Sequence, residues 1–271
     1  SGSFRFSFVY GQAEGTRKSW SNFRRFTYFV SKDQTNKTFK KRVGECSFNS
    51  LVTIRDAFSV EKVTKDFYKQ IADWYFWAVQ DVTFPKDAEA ELNGRNNAVI
   101  RLITRLIFIW FMRERTLVPQ YLFKQDQMST LLKSLKPEET TYYKAILQNL
   151  FFATLNTKIE NRKFRFSRSF QGKNDSYMDH GIYRYEDYFK NREDMLDIFK
   201  DIPFLNGGLF DCLDWSAKES GTGNEVRFDG FSDKEVGLSV PNYLFFSGEK
   251  EVDLNAEYGT KNKKYPVQGL L

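Results

Sequence analysis

The sequence predicts an α+β chain: a small N-terminal antiparallel β piece, a mainly helical connector, and an irregular C-terminal part. Three observations predict this. Residues 4–10, FRFSFVY, alternate with a period of two, which places Phe4, Phe6 and Phe8 on one face. From residue 58 to about 155, apolar residues recur at helical spacing. Beyond residue 158 neither period persists.

Residues 26–30, FTYFV, supply a second strand, and the polar, basic GQAEGTRKSWSNFRR lies between the two. An antiparallel pair with basic loops follows, then a short helix near residues 36–43. Ser59 can cap the next helix, with Glu61 in its first turn. Its core side carries Phe67, Ile71, Trp74, Tyr75 and Ala78, and Phe84-Pro85 ends it. A second long helix spans about residues 96–115, with Val99, Leu102, Ile103, Leu106, Ile109 and Trp110 on one face. Its C-terminal half is apolar almost all round, which predicts a central core helix.

A third helix is expected over 121–134, and a fourth from Pro137 with a stripe of Ile146, Leu150, Phe151 and Leu155. Residues 158–185 read as an extended basic excursion. Asn191 can cap a short helix ending near Phe199. Gly207 and Gly208 suggest a turn that uses unusual backbone angles. Strand-like pieces are expected at Glu225–Phe228 and Tyr243–Phe246. The expected domain borders are 1–57, 58–210 and 211–271.

The chain has 271 residues, 41% hydrophobic and 17% aromatic, which is enough to bury a sizeable core. Two cysteines, Cys46 and Cys212, make no disulfide framework and read as buried inert thiols in a reducing compartment. No secretory leader is evident at the start. The most apolar run, Leu106–Met112, falls short of the about 20 residues a membrane span requires. The expected location is the cytoplasm.

Net charge is +6, unevenly spread. Residues 1–65 hold 13 Lys and Arg against 5 Asp and Glu, and residues 158–173 hold 6 against 1. Residues 174–271 hold 11 against 19. Concentrated cation is the usual footprint of a phosphate-binding surface.

The catalytic motifs sought are missing. The single G-x-G, Gly221-Thr-Gly223, sits in a polar loop without the strand and helix that a nucleotide-binding turn needs. There is no P-loop and no Asn-Pro-Pro-Tyr or Asp-Pro-Pro-Tyr, and no Glu-x-Lys to join clustered carboxylates in a metal-dependent nuclease. Glu186-Asp187 and Glu193-Asp194 read as solvated helix starts. His180, the one histidine, reads as a solvated or loop-bonded residue. The sequence therefore yields no catalytic residues and no metal ligands.

What remains is two basic segments. Arg17, Lys18, Arg24 and Arg25 surround Trp20 and Phe23, and Lys37, Lys40, Lys41 and Arg42 follow. Arg162, Lys163, Arg165 and Arg168 interleave with Phe164, Phe166 and Phe170. Such residues neutralise phosphates while aromatics stack on bases or anchor a loop. A solvated charged face with inward aromatics fits equally, and RKFRFSRSF also suits an edge strand.

Several stretches in order resemble one family: FRFSFVY, FRRFTYFV, the Thr38–Arg42 segment, AFSVEKVTKDFYKQIADWYFWAV, RLITRLIFIWFMRERTLVP, ILQNLFFATLN, IPFLNGGLF, VPNYLFF and EYGTKNKKYPVQGLL. The family is the large single-chain type II (IIG-like) restriction enzymes that fuse a nuclease to an adenine-specific DNA methyltransferase; phage-exclusion methylases share parts of the pattern. The resemblance implies a segment between the two catalytic units and transfers no catalytic residue.

For the whole enzyme the resemblance implies site-specific DNA cleavage and N6-adenine methylation, with S-adenosylmethionine and a divalent metal such as Mg; none is expected in this chain. The expected partners are double-stranded DNA and the neighbouring nuclease and methyltransferase domains. The expected role is phosphate contact and spacing, with target recognition elsewhere. A scaffold that does not touch DNA is the alternative, and an RNA-binding strand is a third.

Overall fold

Alternating aromatic and polar residues give both N-terminal strands one apolar face, so they pair and bury it together. In the computed structural model, β1 (Ser3–Tyr10) pairs antiparallel with β4 (Arg24–Ser31) over all eight residues, from Ser3 opposite Ser31 to Tyr10 opposite Arg24. The short strands β2 (Ala13–Glu14) and β3 (Ser19–Trp20) pair inside the connection. The structure describes residues 2–11, 13–14, 19–20, 23–164, 179–205 and 207–271. The chain divides into two units, Ser1–Ile71 and Ala72–Leu271.

In the first unit, where a short helix is expected near residues 36–43, helix α1 (Lys37–Phe39) runs into a wider π-type turn, Lys40–Gly44. Asn36 precedes it at φ 52°, a left-handed angle that asparagine tolerates. The Asn36 amide bonds back to Ser31 through both its oxygen and its nitrogen, which fixes the corner between strand and helix. Helix α2 (Leu51–Ala57) is capped by Ser50, whose hydroxyl accepts from the Thr53 N–H at 3.1 Å. Val43, Ala57 and Phe58 form a small core against Phe8, Phe26, Tyr28 and Phe39. Helix α3 (Val60–Asp81) is continuous across the division. Trp74 and Ala78 are buried in it as expected, whereas Phe67 is 47% exposed, contrary to the core stripe assigned to it.

The second unit is built around a π-type helix, Tyr143–Leu155, in which every residue is buried. The expected start at Pro137 is not observed. The Pro137 and Glu139 carbonyls instead accept from the Tyr243 and Asn242 N–H groups, a long-range pairing that withholds them from a helix. Two polar residues inside this helix are fully satisfied. Gln148 donates to the Asp229 carbonyl and accepts from the Tyr185 hydroxyl, and Asn149 exchanges bonds with the Arg184 backbone.

The second unit also holds the helices α4 (Lys86–Ala90), α5 (Gly94–Glu114), α6 (Gln125–Leu131) and α7 (Arg192–Phe199). A 3₁₀ turn, Gln120–Phe123, precedes α6, so the predicted third helix is split. Strands β5 (Lys163–Phe164) and β6 (Ile182–Tyr183) pair in parallel. The C-terminal part holds α8 (Tyr243–Phe246), β7 (Lys250–Val252), α9 (Asn255–Tyr258) and β8 (Tyr265–Val267), with β7 and β8 antiparallel.

The architecture is α+β, as predicted. Tyr243–Phe246, expected as strand, is helical because Asn242 and Tyr243 accept the N–H groups of Phe246 and Ser247. At Glu225–Phe228 the pairing is a single bridge, Trp215 to Val226. Gly207 sits at φ −159°, an extended angle open to any residue, so its glycine is not required by a left-handed turn.

Helix α5 departs most from expectation. Val99, Leu102, Ile103, Leu106 and Ile109 of the predicted face are buried, but Trp110 is exposed, and so are Ile107, Phe108 and Phe111, Phe111 by 55%. Arg105, only 2% exposed, takes a place on the buried face, and Trp110 is instead covered by the Arg113 guanidinium 3.7 Å above its ring. No helix among the described residues is long and apolar enough to cross a membrane.

Candidate nucleic-acid interface

The aromatic face of the β1–β4 pair orients the basic residues of the first unit. Phe6 and Phe8 lie 5.8 and 5.6 Å from the Phe58 ring, and Phe39 sits edge-on to Phe6 and Tyr28. The Tyr28 hydroxyl donates to the Ala57 carbonyl at 2.9 Å, and burial raises the Tyr28 pKa above its usual range. With Phe39 and Val43 directed inward four residues apart, the opposite side of the same turns carries Lys37, Lys40 and Lys41. All three lysines are exposed, as are Arg24 and Arg25. Among the described residues none of these five cations enters an ion pair.

Arg42, grouped with them by sequence, is different. Its guanidinium bonds the Asp66 carboxylate, and its side chain is 8% exposed. The turn that aims Lys40 and Lys41 outward brings Arg42 inward to α3. Arg162 is likewise engaged: its three nitrogens donate to the carbonyls of Thr157, Phe199 and Thr154 at 3.1, 3.2 and 2.9 Å. It closes the C-terminal end of the π-helix, where carbonyls lack helical partners. Burial lowers its pKa, with Tyr183 acting in the opposite direction.

Lys163 is exposed and borders an open cleft of about 410 Å³ with Lys158, Asn161 and Asp179. Arg17, Lys18, Arg165 and Arg168 lie outside the described residues.

Sequence reasoning missed a buried charged cluster in the second unit. Arg105 forms an ion pair with Asp229 at 2.9 Å, donates to the Leu209 and Asp211 carbonyls, and lies over the Phe151 and Phe152 rings. Asp214 accepts four backbone N–H groups, from Phe228, Asp229, Gly230 and Phe231, at 2.7–3.1 Å. Burial raises its pKa, the Asp229 charge adds to this, and the N–H groups of Gly230, Phe231 and Asp229 act against it. The arrangement clasps the 213–231 segment. The only sequence sign was Asp214 and Asp229 standing among large apolar residues.

His180 is half-buried, not fully solvated, and its Nε2 has no hydrogen-bond partner among the described residues. Burial lowers its pKa. Arg184 acts in the same direction, while Asp214, Glu219 and Asp229 oppose.

The Asp214 and Asp229 oxygens are occupied by N–H donors and Arg105, and no group of three potential metal ligands occurs among the described residues. Gly221 and Gly223 adopt φ of 68° and 78° in an exposed turn that is neither preceded by a strand nor followed by a helix, so nothing there resembles an adenosyl-binding loop.

No protein-family model matches the chain, and no solved structure matches it. Among curated proteins, it is similar to the "Putative type II restriction enzyme and methyltransferase" of Methanocaldococcus jannaschii, at 26% identity over 229 residues. The match covers 73% of this chain and 16% of that protein, so the chain spans a small part of its relative's length. The similarity supports a restriction–modification affiliation.

Proposed function

We propose that this chain is a DNA-contacting spacer of a restriction–modification enzyme, a segment between nuclease and methyltransferase units that carries neither active site. S-adenosylmethionine and a divalent metal would then be held elsewhere in the enzyme. One observation carries the reading: Lys37, Lys40 and Lys41 line one side of a helical turn whose other side is anchored in the core, and no carboxylate pairs them among the described residues. A cation row without counter-charge is suited to phosphates, which it contacts without reading sequence. The test is titration of the chain with labelled duplex DNA at increasing salt. Binding at low salt that falls steeply as salt rises is expected. No binding at low salt refutes the proposal.

A second reading is favoured by a separate observation. Ile107, Phe108 and Phe111 leave apolar surface exposed along one side of α5, beside the Arg113-capped Trp110. Contiguous exposed apolar surface of this kind marks a packing site. On that reading the second unit is an interdomain scaffold that does not itself touch DNA. Glutamate substitution of Ile107 and Phe111 should then weaken association with adjoining domains and leave duplex affinity unchanged.

A further inference from the structure

We propose that the outer face of the β1–β4 ribbon reads base edges in the major groove of duplex DNA, at a short, nearly palindromic site with a guanine on each strand. The proposal rests on the DNA-contact reading above and places target discrimination inside this chain.

The ribbon has two dissimilar faces. Phe8, Phe26 and Tyr28 turn to the core and Phe6, on the same face, to the Phe39 and Phe58 rings, which leaves Arg5, Ser7, Val9, Arg25, Thr27 and Phe29 on the other side. Arg5, Val9, Arg25, Thr27 and Phe29 are exposed and Ser7 is half-buried. None of these six side chains is a carboxylate, and their charge complements a polyanion. Two strands lie about 4.8 Å apart, and the major groove, about 12 Å wide, admits a two-stranded ribbon.

The order of these side chains gives a stronger argument. From N- to C-terminus, β1 presents Arg5, Ser7 and Val9, and β4 presents Arg25, Thr27 and Phe29. The register sets Arg5 opposite Phe29, Ser7 opposite Thr27, and Val9 opposite Arg25. A twofold axis through the Ser7–Thr27 pair therefore exchanges arginine with arginine, hydroxyl with hydroxyl, and apolar with apolar. Duplex DNA has local twofold symmetry of its own, and twofold protein surfaces select palindromic sites.

Each residue type has a base-edge partner. Arginine pairs bidentately with guanine O6 and N7, serine and threonine donate or accept, and apolar groups meet the thymine methyl. Arg25 is already placed: its Nε and Nη2 donate to the Ser7 Oγ at 3.4 and 3.3 Å, and Ser7 is held by the Thr27 hydroxyl at 2.8 Å. Among the described residues the Nη1 hydrogens and one on Nη2 make no bond and can form the fork. Arg5 and Val9 are four residues apart, roughly 13 Å at the rise of an antiparallel strand. With Arg25 opposite Val9, the two arginines reach bases about four steps apart at 3.4 Å per step.

The experiment is selection by this chain from a duplex library with a randomised core, followed by titration of the selected duplex. The expected product carries a guanine on each strand about four base pairs apart. Arg5→Ala and Arg25→Ala each should relax the preference at one end and lower affinity for the selected duplex roughly 5- to 150-fold. Arg25→Lys, which keeps the charge, should lose discrimination but not general duplex binding. Circular dichroism checks that each variant is folded.

An unenriched library with salt-sensitive duplex binding intact overturns the groove reading alone. Tighter binding of single strands, weakened by Phe29→Ala, overturns it in favour of stacking. Loss of all duplex binding by the unaltered chain removes the DNA-contact reading on which it rests.

Discussion

Neutralising Lys37, Lys40 and Lys41 together is the most informative perturbation. In the structure these lysines project from one side of Lys37–Gly44, are exposed, and have no anionic partner among the described residues. Glutamine at all three keeps the chain length and leaves Phe39 and Val43 in the core. If each lysine neutralises one phosphate, each contributes about 0.9 to the slope of log affinity against log salt, and the triple variant loses about 2.7. Over a fourfold rise in salt, from about 50 to about 200 mM, the unaltered chain should lose roughly 40-fold more affinity than the variant. Fluorescence anisotropy with a labelled duplex at several salt concentrations measures both slopes. Equal slopes within about 0.5, with both proteins folded, would refute the reasoning.

Other predictions concern the fold that holds this surface. Asp229→Ala should destabilise the chain by about 3–5 kcal/mol, because it strands the Arg105 guanidinium in a buried site; a urea midpoint unchanged from the parent would contradict it. Leu106→Ala should cost about 2–5 kcal/mol, whereas Phe111→Glu on the exposed side of α5 should stay within about 0.5 kcal/mol, as read by thermal denaturation. The His180 pKa is lowered in the folded chain, so its contribution to stability is present above its unfolded value of about 6.5 and is lost as pH falls through the folded value. His180→Asn should therefore flatten the decline in melting temperature on acidification below about pH 6.5, and an unchanged pH profile would count against this assignment.

Much of the fold was legible because its determinants are local. The FRFSFVY alternation identified β1, and the spacing of Trp74 and Ala78 identified the buried side of α3. The readings that failed turned on partners far along the chain. Pro137 did not begin a helix, because the Asn242–Tyr243 backbone takes the carbonyls involved. Apolar composition does not tell a helix buried all round from one with an exposed side, so the sequence alone puts α5 in the central position that Tyr143–Leu155 occupies.

The candidate site was legible to the same degree. The basic segments are visible as composition, but only the structure separates Lys40 and Lys41, directed outward, from Arg42, paired with Asp66, and from Arg162, bonded to three carbonyls. The Arg-hydroxyl-apolar repeat on β1 and β4 was present in the sequence, yet its symmetry has no meaning until the register is known.

Lysine footprinting tests the central claim most directly. The chain is acetylated with and without saturating duplex DNA at low salt, and modification at each lysine is read by mass spectrometry. The account predicts strong protection of Lys37, Lys40 and Lys41, with Lys200 and Lys261, also exposed, modified as in the free chain. Equal modification of all five in the presence of bound duplex would contradict it.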